Sequence, residues 1–386
     1  MSRSRGAFIA PETADYKSFL AAVKDGDVDM VDMLLASHPH ININAIDWLS
    51  YSDSAALHIA AARGDVPMVD FLLRCGAEVD FYTDNASAGL TPLHCATYIP
   101  VLERLLESGA DINARGGNYW GTAAHIPFNS DVDPDVPELL LSLEFLIDRG
   151  LDLSIKDENG HSGLHCVARN GVIPIAKLYL DQGTDIDQTS YPGGPTALQL
   201  AVEENQLEMV IFLLSRGATI TANMIAIATD YTEIFRELLS RADEAILLSS
   251  QNMVHNVISA RPDDEMSEAK LPILLRILLE SGVSVEAKCS SRNDYGGHRK
   301  TPLLTACSVI EPSIEIIRIL LEHGADVNAE DDDDDQSTVC KRFTSLLELK
   351  SNILLVTFIT LENYPLIHKL LQGRDRIRVG KSRHIR

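Results

Sequence analysis

The amino-acid sequence predicts an all-α solenoid, a row of stacked helix–turn–helix units. Three observations predict this fold class. A nine-residue stretch occurs twice in nearly the same form, as LLESGADIN at 105–113 and as LLEHGADVN at 320–328. Glycines recur at a spacing near 33 residues, and a second motif, best preserved as TPLHCA at 91–96, recurs between them. A period of about 20–50 residues is typical of repeat proteins, in which each unit buries its apolar face only against its neighbours.

The glycines predict where helices end. Each follows apolar residues at helical spacing, as Val66, Val69 and Leu72 precede the first of them. A glycine adopts the left-handed conformation that ends a helix without a Cβ clash. The set is Gly76, Gly109, Gly150, Gly183, Gly217, Gly282 and Gly324, with gaps of 33, 41, 33, 34, 65 and 42 residues. We therefore expect a period near 33, with insertions and one gap of about two periods.

The second motif predicts where helices begin. Thr91 caps a helix and Pro92 suits its first turn. Partial copies occupy 162–165, 196–201 and 301–306, and worn copies occupy 55–60 and 122–125. The alanines in these copies are small enough to let neighbouring helices approach closely.

The two motifs in fixed order resemble the ankyrin repeat, whose period of about 33 residues and T-P-L-H-x-A signature they share. The resemblance covers about 15–372 and implies about ten units joined by β-hairpin fingers. It implies that the fingers and inner helices form a concave face that binds partner proteins. It also implies that the histidine at the fourth place of the signature points inward and bonds to the backbone of the turn; these are His58, His94, His125 and His165.

The resemblance extends to a modification. Asn113 and Asn328 stand in the LxxxxADxN context in which ankyrin asparagines are hydroxylation targets. Hydrogen bonding within the hairpin explains both residues without any modification, so both interpretations stay open.

The domain organisation follows from departures from the pattern. We expect a flexible N-terminus at 1–14, an array at 15–329 that is degenerate around 222–300, and an acidic linker at 330–342. Capping helices at 343–372 and a basic tail at 373–386 follow. Acidic, proline-containing insertions at 127–138 and 260–272 are expected to be loops.

No motif for chemistry stands out. The P-loop, GxGxxG, HExxH and GxSxG patterns are absent from the sequence, and once the array is assigned no segment remains for a separate catalytic domain. We therefore predict a non-catalytic protein without a cofactor. His161, His165 and Cys166 form a close group, but a structural role is favoured over a metal site. The run at 131–135 begins like a calcium loop, but Val136 and Ser142 stand where glycine and glutamate are required.

Composition restricts the partners. The chain has 33 basic and 56 acidic residues, a net charge of −23 that disfavours nucleic acid and anionic membranes. It shows no apolar run of the ~20 residues that a membrane helix needs and no secretory signal. The six cysteines are scattered, as expected of reduced thiols in the cytoplasm or the nucleus. We expect a monomer.

Aromatic residues in the predicted fingers give the candidate binding residues. They are Trp48, Tyr51, Phe81, Tyr82, Tyr119, Trp120 and Tyr191, with Tyr295 in a later finger. Tryptophan and tyrosine dominate many protein interfaces. The alternative is that the rings pack on neighbouring fingers and stiffen the row. The acidic finger residues Asp84, Asp157, Glu158 and Asp187 favour a partner with basic character.

The sequence therefore predicts a protein-binding scaffold or adaptor. Two alternatives stay open. One is an enzyme or small-molecule-binding protein with a site in the groove of the array near 222–300. The other is a nuclear regulator that uses the basic tail at 373–386.

Overall fold

The computed structural model describes residues 14–46, 54–82, 89–116, 121–125, 136–249, 251–259, 265–288, 300–308, 313–326 and 329. The chain divides into two compact units, Met1–Thr219 and Ile220–Arg386. No strand forms among these described residues, and the bridges with both partners described are Gly116–Gly121 and Thr189–Thr196. The all-α class is confirmed, and each of these two bridges joins the two ends of one finger.

The first unit is built from pairs of short helices. They are α1 (Ala14–Asp25), α2 (Val28–Ser37), α3 (Ala56–Ala62), α4 (Val66–Arg74), α5 (Pro92–Cys95), α6 (Ile99–Glu107), α7 (Val136–Asp148), α8 (Gly163–Asn170), α9 (Ile173–Asp181), α10 (Ala197–Glu203) and α11 (Leu207–Ser215). The inner helices α1, α3 and α5 stack in order, as do α8 and α10. The outer helices α2, α4, α6, α7, α9 and α11 form the second layer.

The core lies between these two layers. In every repeat from α4 to α11, the residue four places before the helix-ending glycine is buried. These residues are Leu72, Leu105, Leu146, Tyr179 and Leu213. Each such side chain stabilises its unit by roughly 1.5–3 kcal/mol because a neighbouring unit covers it. Tyr179 keeps its hydroxyl satisfied by donating to the Ala124 carbonyl at 2.9 Å.

The predicted helix ends are confirmed. All seven glycines have φ between 87° and 102°. At Gly76 the glycine N–H donates to the Leu73 carbonyl at 3.1 Å, and the Ala77 N–H donates to the Leu72 carbonyl at 3.0 Å. These two bonds form the Schellman motif, and the other six glycines repeat them.

The second unit contains helices of less regular length, from six to 16 residues. They are α12 (Ala222–Ile227), α13 (Thr232–Arg241), α14 (Glu244–Ser249), α15 (Gln251–Ser259), α16 (Glu265–Glu280), α17 (Pro302–Ser308) and α18 (Ile314–Glu322), with a 3-10 turn at Ala228–Asp230. The predicted loss of a glycine exit here is confirmed, because α13 ends at Ala242 with ψ of 139°, in extended backbone. None of the described helices combines the length and apolar character that crossing a bilayer requires.

The two predicted loops are wrong at their C-terminal ends. Helix α7 already begins at Val136, and α16 already begins at Glu265, so 136–138 and 265–272 are helical. A proline inside a helix costs about 3 kcal/mol, which is why Pro272 indicates a boundary in the sequence. The helix nevertheless continues through Pro272, because the residues before it, EMSEAKL, are mostly strong helix formers. Lys270 in this extension pairs with Asp230 at 3.3 Å.

Several predicted segments lie outside the described residues. These are the N-terminus up to residue 13, the acidic linker 330–342, the capping helices 343–372 and the basic tail 373–386. The calcium-like run 131–135 and Asn328 lie outside them as well. These assignments stay predictions.

Candidate protein-binding surface

The fingers are held at their bases by a histidine network. The His94 Nδ1 accepts the Thr91 N–H at 3.1 Å, and the Nδ1 atoms of His125 and His165 accept the N–H of the equivalent Thr122 and Ser162. The Nε2 then donates to the next unit: His58 to the Leu90 carbonyl, His125 to the His161 carbonyl and His165 to the Pro195 carbonyl, at 3.0–3.2 Å. The prediction that these histidines bond to turn backbone is confirmed.

This network keeps its histidines neutral. Burial lowers the pKa of His58, His94 and His165 to about 4. A neutral ring has one accepting and one donating nitrogen, and His125 and His165 use both of them in the network.

One member of the network was missed in the sequence. His255 in α15 is 1% exposed, and its Nε2 donates to the Ala287 carbonyl at 2.7 Å. Its Nδ1 lies 2.9 Å from the Thr305 hydroxyl oxygen. The stretch NMVH at 252–255 has histidine at the fourth place, but it lacks the threonine and proline that make the signature recognisable.

A second set of bonds joins five of the finger bases to the following one. The side chain four residues after the glycine, or its equivalent, accepts a backbone N–H from the following unit. The pairs are Asn44 with Glu78, Asp80 with Asp111, Asn113 with Asp152, Asp187 with Thr219 and Glu286 with Asp326, at 2.6–3.1 Å. Asn113 bonds within its own hairpin through its backbone, since its N–H donates to the Asp111 carboxylate at 2.9 Å, while its side-chain amide contacts Asp152 N and Gly150 O of the next repeat.

The last two fingers of the first unit are tight turns that contact each other. In one, the Gly160 N–H donates to the Asp157 carbonyl at 3.0 Å; in the other, the Gly194 N–H donates to the Tyr191 carbonyl at 2.7 Å. The Lys156 Nζ donates to the Thr189 carbonyl at 2.7 Å and to the Ser190 carbonyl at 3.1 Å. In the first unit, the described finger bases thus form a row in which each is hydrogen-bonded to the next.

Comparison with known proteins agrees with this architecture. A family model described as ankyrin repeats in three copies matches residues 19–116 and 139–224. A single ankyrin-repeat model matches 298–332, and together the matches cover more than half of the chain. The chain belongs to the ankyrin-repeat family. Ankyrin repeats are protein-interaction modules, so a protein-binding role follows at this coarse level.

The relatives are longer proteins with similar ankyrin regions. The chain is 33% identical to the human B-cell lymphoma 3 protein over 44% of its length and 37% of that protein. It is 27% identical to the human ankyrin repeat and SOCS box protein 6, over 63% of this chain and 55% of the relative. It is 27% identical to the ankyrin repeat and KH domain-containing protein mask-1 of Caenorhabditis elegans, over 72% of this chain and 10% of the relative. The chain therefore spans at most about half of these relatives.

The structure separates the candidate aromatic residues. Trp48, Tyr51, Tyr119, Trp120 and Tyr295 lie outside the described residues. The Phe81 ring packs edge-on against His58, with centroids 6.2 Å apart, and is half-buried. The half-buried Tyr82 ring covers Gly89, where a Cβ would lie 2.0 Å from the ring. Tyr191 differs from both, because it is 56% exposed.

The described acidic finger residues also differ in whether the fold uses their carboxylates or leaves them exposed. The Asp157 carboxylate is buried and accepts the N–H groups of Asn159 and His161 at 2.9 and 2.8 Å. Asp187 bonds both the N–H and the hydroxyl of Thr219. These two carboxylates hold the ankyrin fold together, and Asp84 lies outside the described residues. Glu158 is exposed and remains accessible to a partner.

The close His/Cys group has a structural role. Both ring nitrogens of His165 are used in the network, and the His161 ring stacks on it with centroids 5.6 Å apart. The His161 Nδ1 lies 3.8 Å from the Asp157 carboxylate. Burial raises the pKa of the Cys166 thiol to about 12, which leaves it protonated. Across the described part of the chain, no cluster of His, Cys, Asp and Glu suits a metal ion.

A cavity of about 200 Å³ lies in the second unit, between α13, α16 and α18. Ile273, Ile277 and Ile319 line it, with charged residues around them. Of those, Arg236 pairs with Glu233 at 3.4 Å and Arg276 with Glu322 at 3.5 Å, on side chains that are 58% and 44% exposed. This arrangement of exposed ion pairs lacks the buried, converging ionisable groups that catalysis requires. It therefore gives no support to the alternative of a reactive site near 222–300.

Proposed function

We propose that the chain is a non-catalytic scaffold or adaptor that binds a protein partner through its fingers and inner helices. The observation that carries the proposal is the hydrogen bonding that joins the described finger bases from one repeat to the next and so favours a preformed surface. A preformed surface loses little conformational entropy on binding, so more of the contact energy appears as affinity. An enzyme would need reacting groups in a shielded pocket, and this row presents an open surface instead.

The proposal is tested by comparing finger variants with outer-helix variants. The finger set is Tyr191→Ala and the Trp48→Ala/Trp120→Ala double variant. The matched controls are Leu141→Ala on α7 and Ile211→Ala on α11, which remove apolar side chains that are 54% and 38% exposed. Each tagged protein is used for affinity capture with quantitative mass spectrometry, and the affinity for each purified prey is then measured.

We expect a specific prey to bind the intact protein and both outer-helix controls but to lose at least tenfold in affinity for a finger variant. Equal binding by all variants would contradict the assignment of the fingers. Circular dichroism of every variant shows that a loss of binding is not a loss of fold.

We further propose that the protein acts as a monomer in the cytoplasm. Light scattering of the purified protein is expected to give a mass near 42.3 kDa. Deletion of the residues after Gln372 tests the nuclear alternative, because an unchanged location of the protein would exclude a role of the basic tail in import.

A further inference from the structure

The finger at 188–196 is complete without a partner. Its turn has Pro192 at the second position and Gly193 at the third, with φ of 79°, as a type II turn requires. The Gly194 N–H closes the turn on the Tyr191 carbonyl at 2.7 Å, and the Ser190 N–H donates to the Pro195 carbonyl at 3.0 Å. The shape of the finger is therefore fixed by its own backbone.

The preceding finger holds it from one side. The Lys156 ammonium donates to the carbonyl groups of Thr189 and Ser190. Gly160 approaches so closely that a Cβ there would lie 2.4 Å from the Ser190 carbonyl oxygen. On the other side, the first unit ends at Thr219, only two residues after Gly217, so it contains no further finger. Within the first unit, the finger that contacts this tip is therefore the preceding one.

Tyr191 lies at this tip, and its ring packs on the turn while one side of it faces solvent. A Cβ on Gly194 would lie 3.0 Å from two ring carbons, so the ring rests on the turn. The side chain is nevertheless 56% exposed, unlike Phe81 and Tyr82, which are half-buried. A placed aromatic ring has little conformational entropy to lose on binding, which suits an interface anchor.

The turn that supports this tip has a net negative charge, since its one cation, Lys156, stands beside two acids, Asp157 and Glu158. Lys156 directs its ammonium into backbone carbonyls, and the Asp157 carboxylate is buried in its own turn. Glu158, in the turn that supports the Tyr191 finger, is exposed. An open aromatic face together with an exposed carboxylate suits a cation, and a guanidinium stacks on a ring better than an ammonium does.

We propose that the Tyr191 finger anchors an arginine side chain from a basic segment of the protein partner. The guanidinium stacks on the Tyr191 ring, and the Glu158 carboxylate attracts it. This inference rests on the proposed function and specifies the chemistry of the partner at one finger.

The test uses two fluorescein-labelled probes, a nine-residue oligo-arginine and a nine-residue oligo-lysine, followed by fluorescence anisotropy. The net charge of −23 attracts both peptides, so the arginine-to-lysine preference isolates the stacking contribution. We expect a preference of about two- to fivefold in the intact protein. Tyr191→Ala is expected to abolish the preference, and Tyr191→Phe to keep it.

Two charge variants test the carboxylate. Glu158→Gln is expected to weaken oligo-arginine binding about two- to fivefold at low salt. Glu208→Gln on the exposed surface of α11 makes the same change in net charge and is expected to leave binding unchanged. An arginine preference that survives in Tyr191→Ala overturns the inference. Equal effects of the two charge variants overturn the role of Glu158.

The outcomes distinguish this inference from the proposed function. If Tyr191→Ala keeps the arginine preference while the tryptophan variant loses its protein prey, the inference fails and the scaffold function stands. If Tyr191 determines the preference but no prey depends on the fingers, the scaffold function fails. Protection of the Ser190 and Gly194 amides from hydrogen exchange confirms in each variant that the finger is intact.

Discussion

Replacing Gly160 tests whether neighbouring fingers stabilise each other. Gly160 and Gly193 have nearly the same left-handed backbone, with φ of 78° and 79°. Alanine at either place costs about 1–2 kcal/mol through its backbone alone. A Cβ at Gly193 meets nothing within 4 Å, whereas at Gly160 it would lie 2.4 Å from the Ser190 carbonyl oxygen. Moving that finger weakens the Lys156 bonds and adds about 1–3 kcal/mol.

We therefore expect the free energy of unfolding to fall by about 1–2 kcal/mol in Gly193→Ala and by about 2–5 kcal/mol in Gly160→Ala. Urea unfolding followed by circular dichroism measures both losses, provided that the m-values stay equal. Hydrogen exchange adds a local readout, because Gly193→Ala strains the finger that contains Ser190, whereas Gly160→Ala should raise exchange of the Ser190 amide from 30 residues away. Equal losses in the two variants would show that the fingers do not support each other.

Three further predictions concern the bonds between units. Because burial lowers the pKa of His58, His94 and His165 to about 4, their neutral forms stabilise the fold fully above about pH 6.5 and this stability is lost as pH falls toward 4. The free energies of unfolding measured in urea at pH 7.5 and at pH 5 should differ by on the order of 2 kcal/mol per histidine. His165→Gln introduces the residue that the next repeat has at the same place, Gln199, and should remove the contribution of one histidine from this difference. An unchanged pH dependence would contradict the assignment. Asn113→Ala should cost about 1 kcal/mol by leaving the Asp152 N–H without its acceptor, whereas Asn159→Ala, at an exposed turn position, should be neutral in the same assay. His255→Ala should destabilise the second unit by about 2–4 kcal/mol, because it leaves a cavity and removes the donor to the Ala287 carbonyl. Thermal unfolding that matches the intact protein would refute that role.

The helix ends could be predicted because their cause is local. A glycine after an apolar helical run takes a left-handed φ wherever it occurs, and Gly76 and Gly324 do so in different units. The histidines of the TPLH signature could be placed through the family resemblance. His255 could not, since it carries out the same bonding without the threonine and proline around it. The helical extension before Pro272 was missed because a proline predicts a boundary that the flanking helix formers overrode.

The candidate surface was only partly predictable. Phe81, Tyr82 and Tyr191 have equal standing as finger aromatics in the sequence, and their exposure distinguishes them. Asp157 and Glu158 are adjacent acids, yet one carboxylate is buried in backbone bonds while the other faces solvent. The fold of the turn decides which of these occurs, because it brings the Asn159 and His161 N–H groups onto Asp157 and leaves Glu158 facing solvent.

By itself the sequence determined the repeat, its period and the places where its helices begin and end, because each of these depends on a few consecutive residues. Only the tertiary structure decided which finger residues are hydrogen-bonded to a neighbouring repeat and which stay exposed. Asn113, Asp187 and Lys156 all direct their polar atoms to a neighbouring unit, and the partner atoms lie 32–39 residues away in the chain. Hydrogen bonds over that separation form only after the units have stacked, so the surface left for a partner is set by packing.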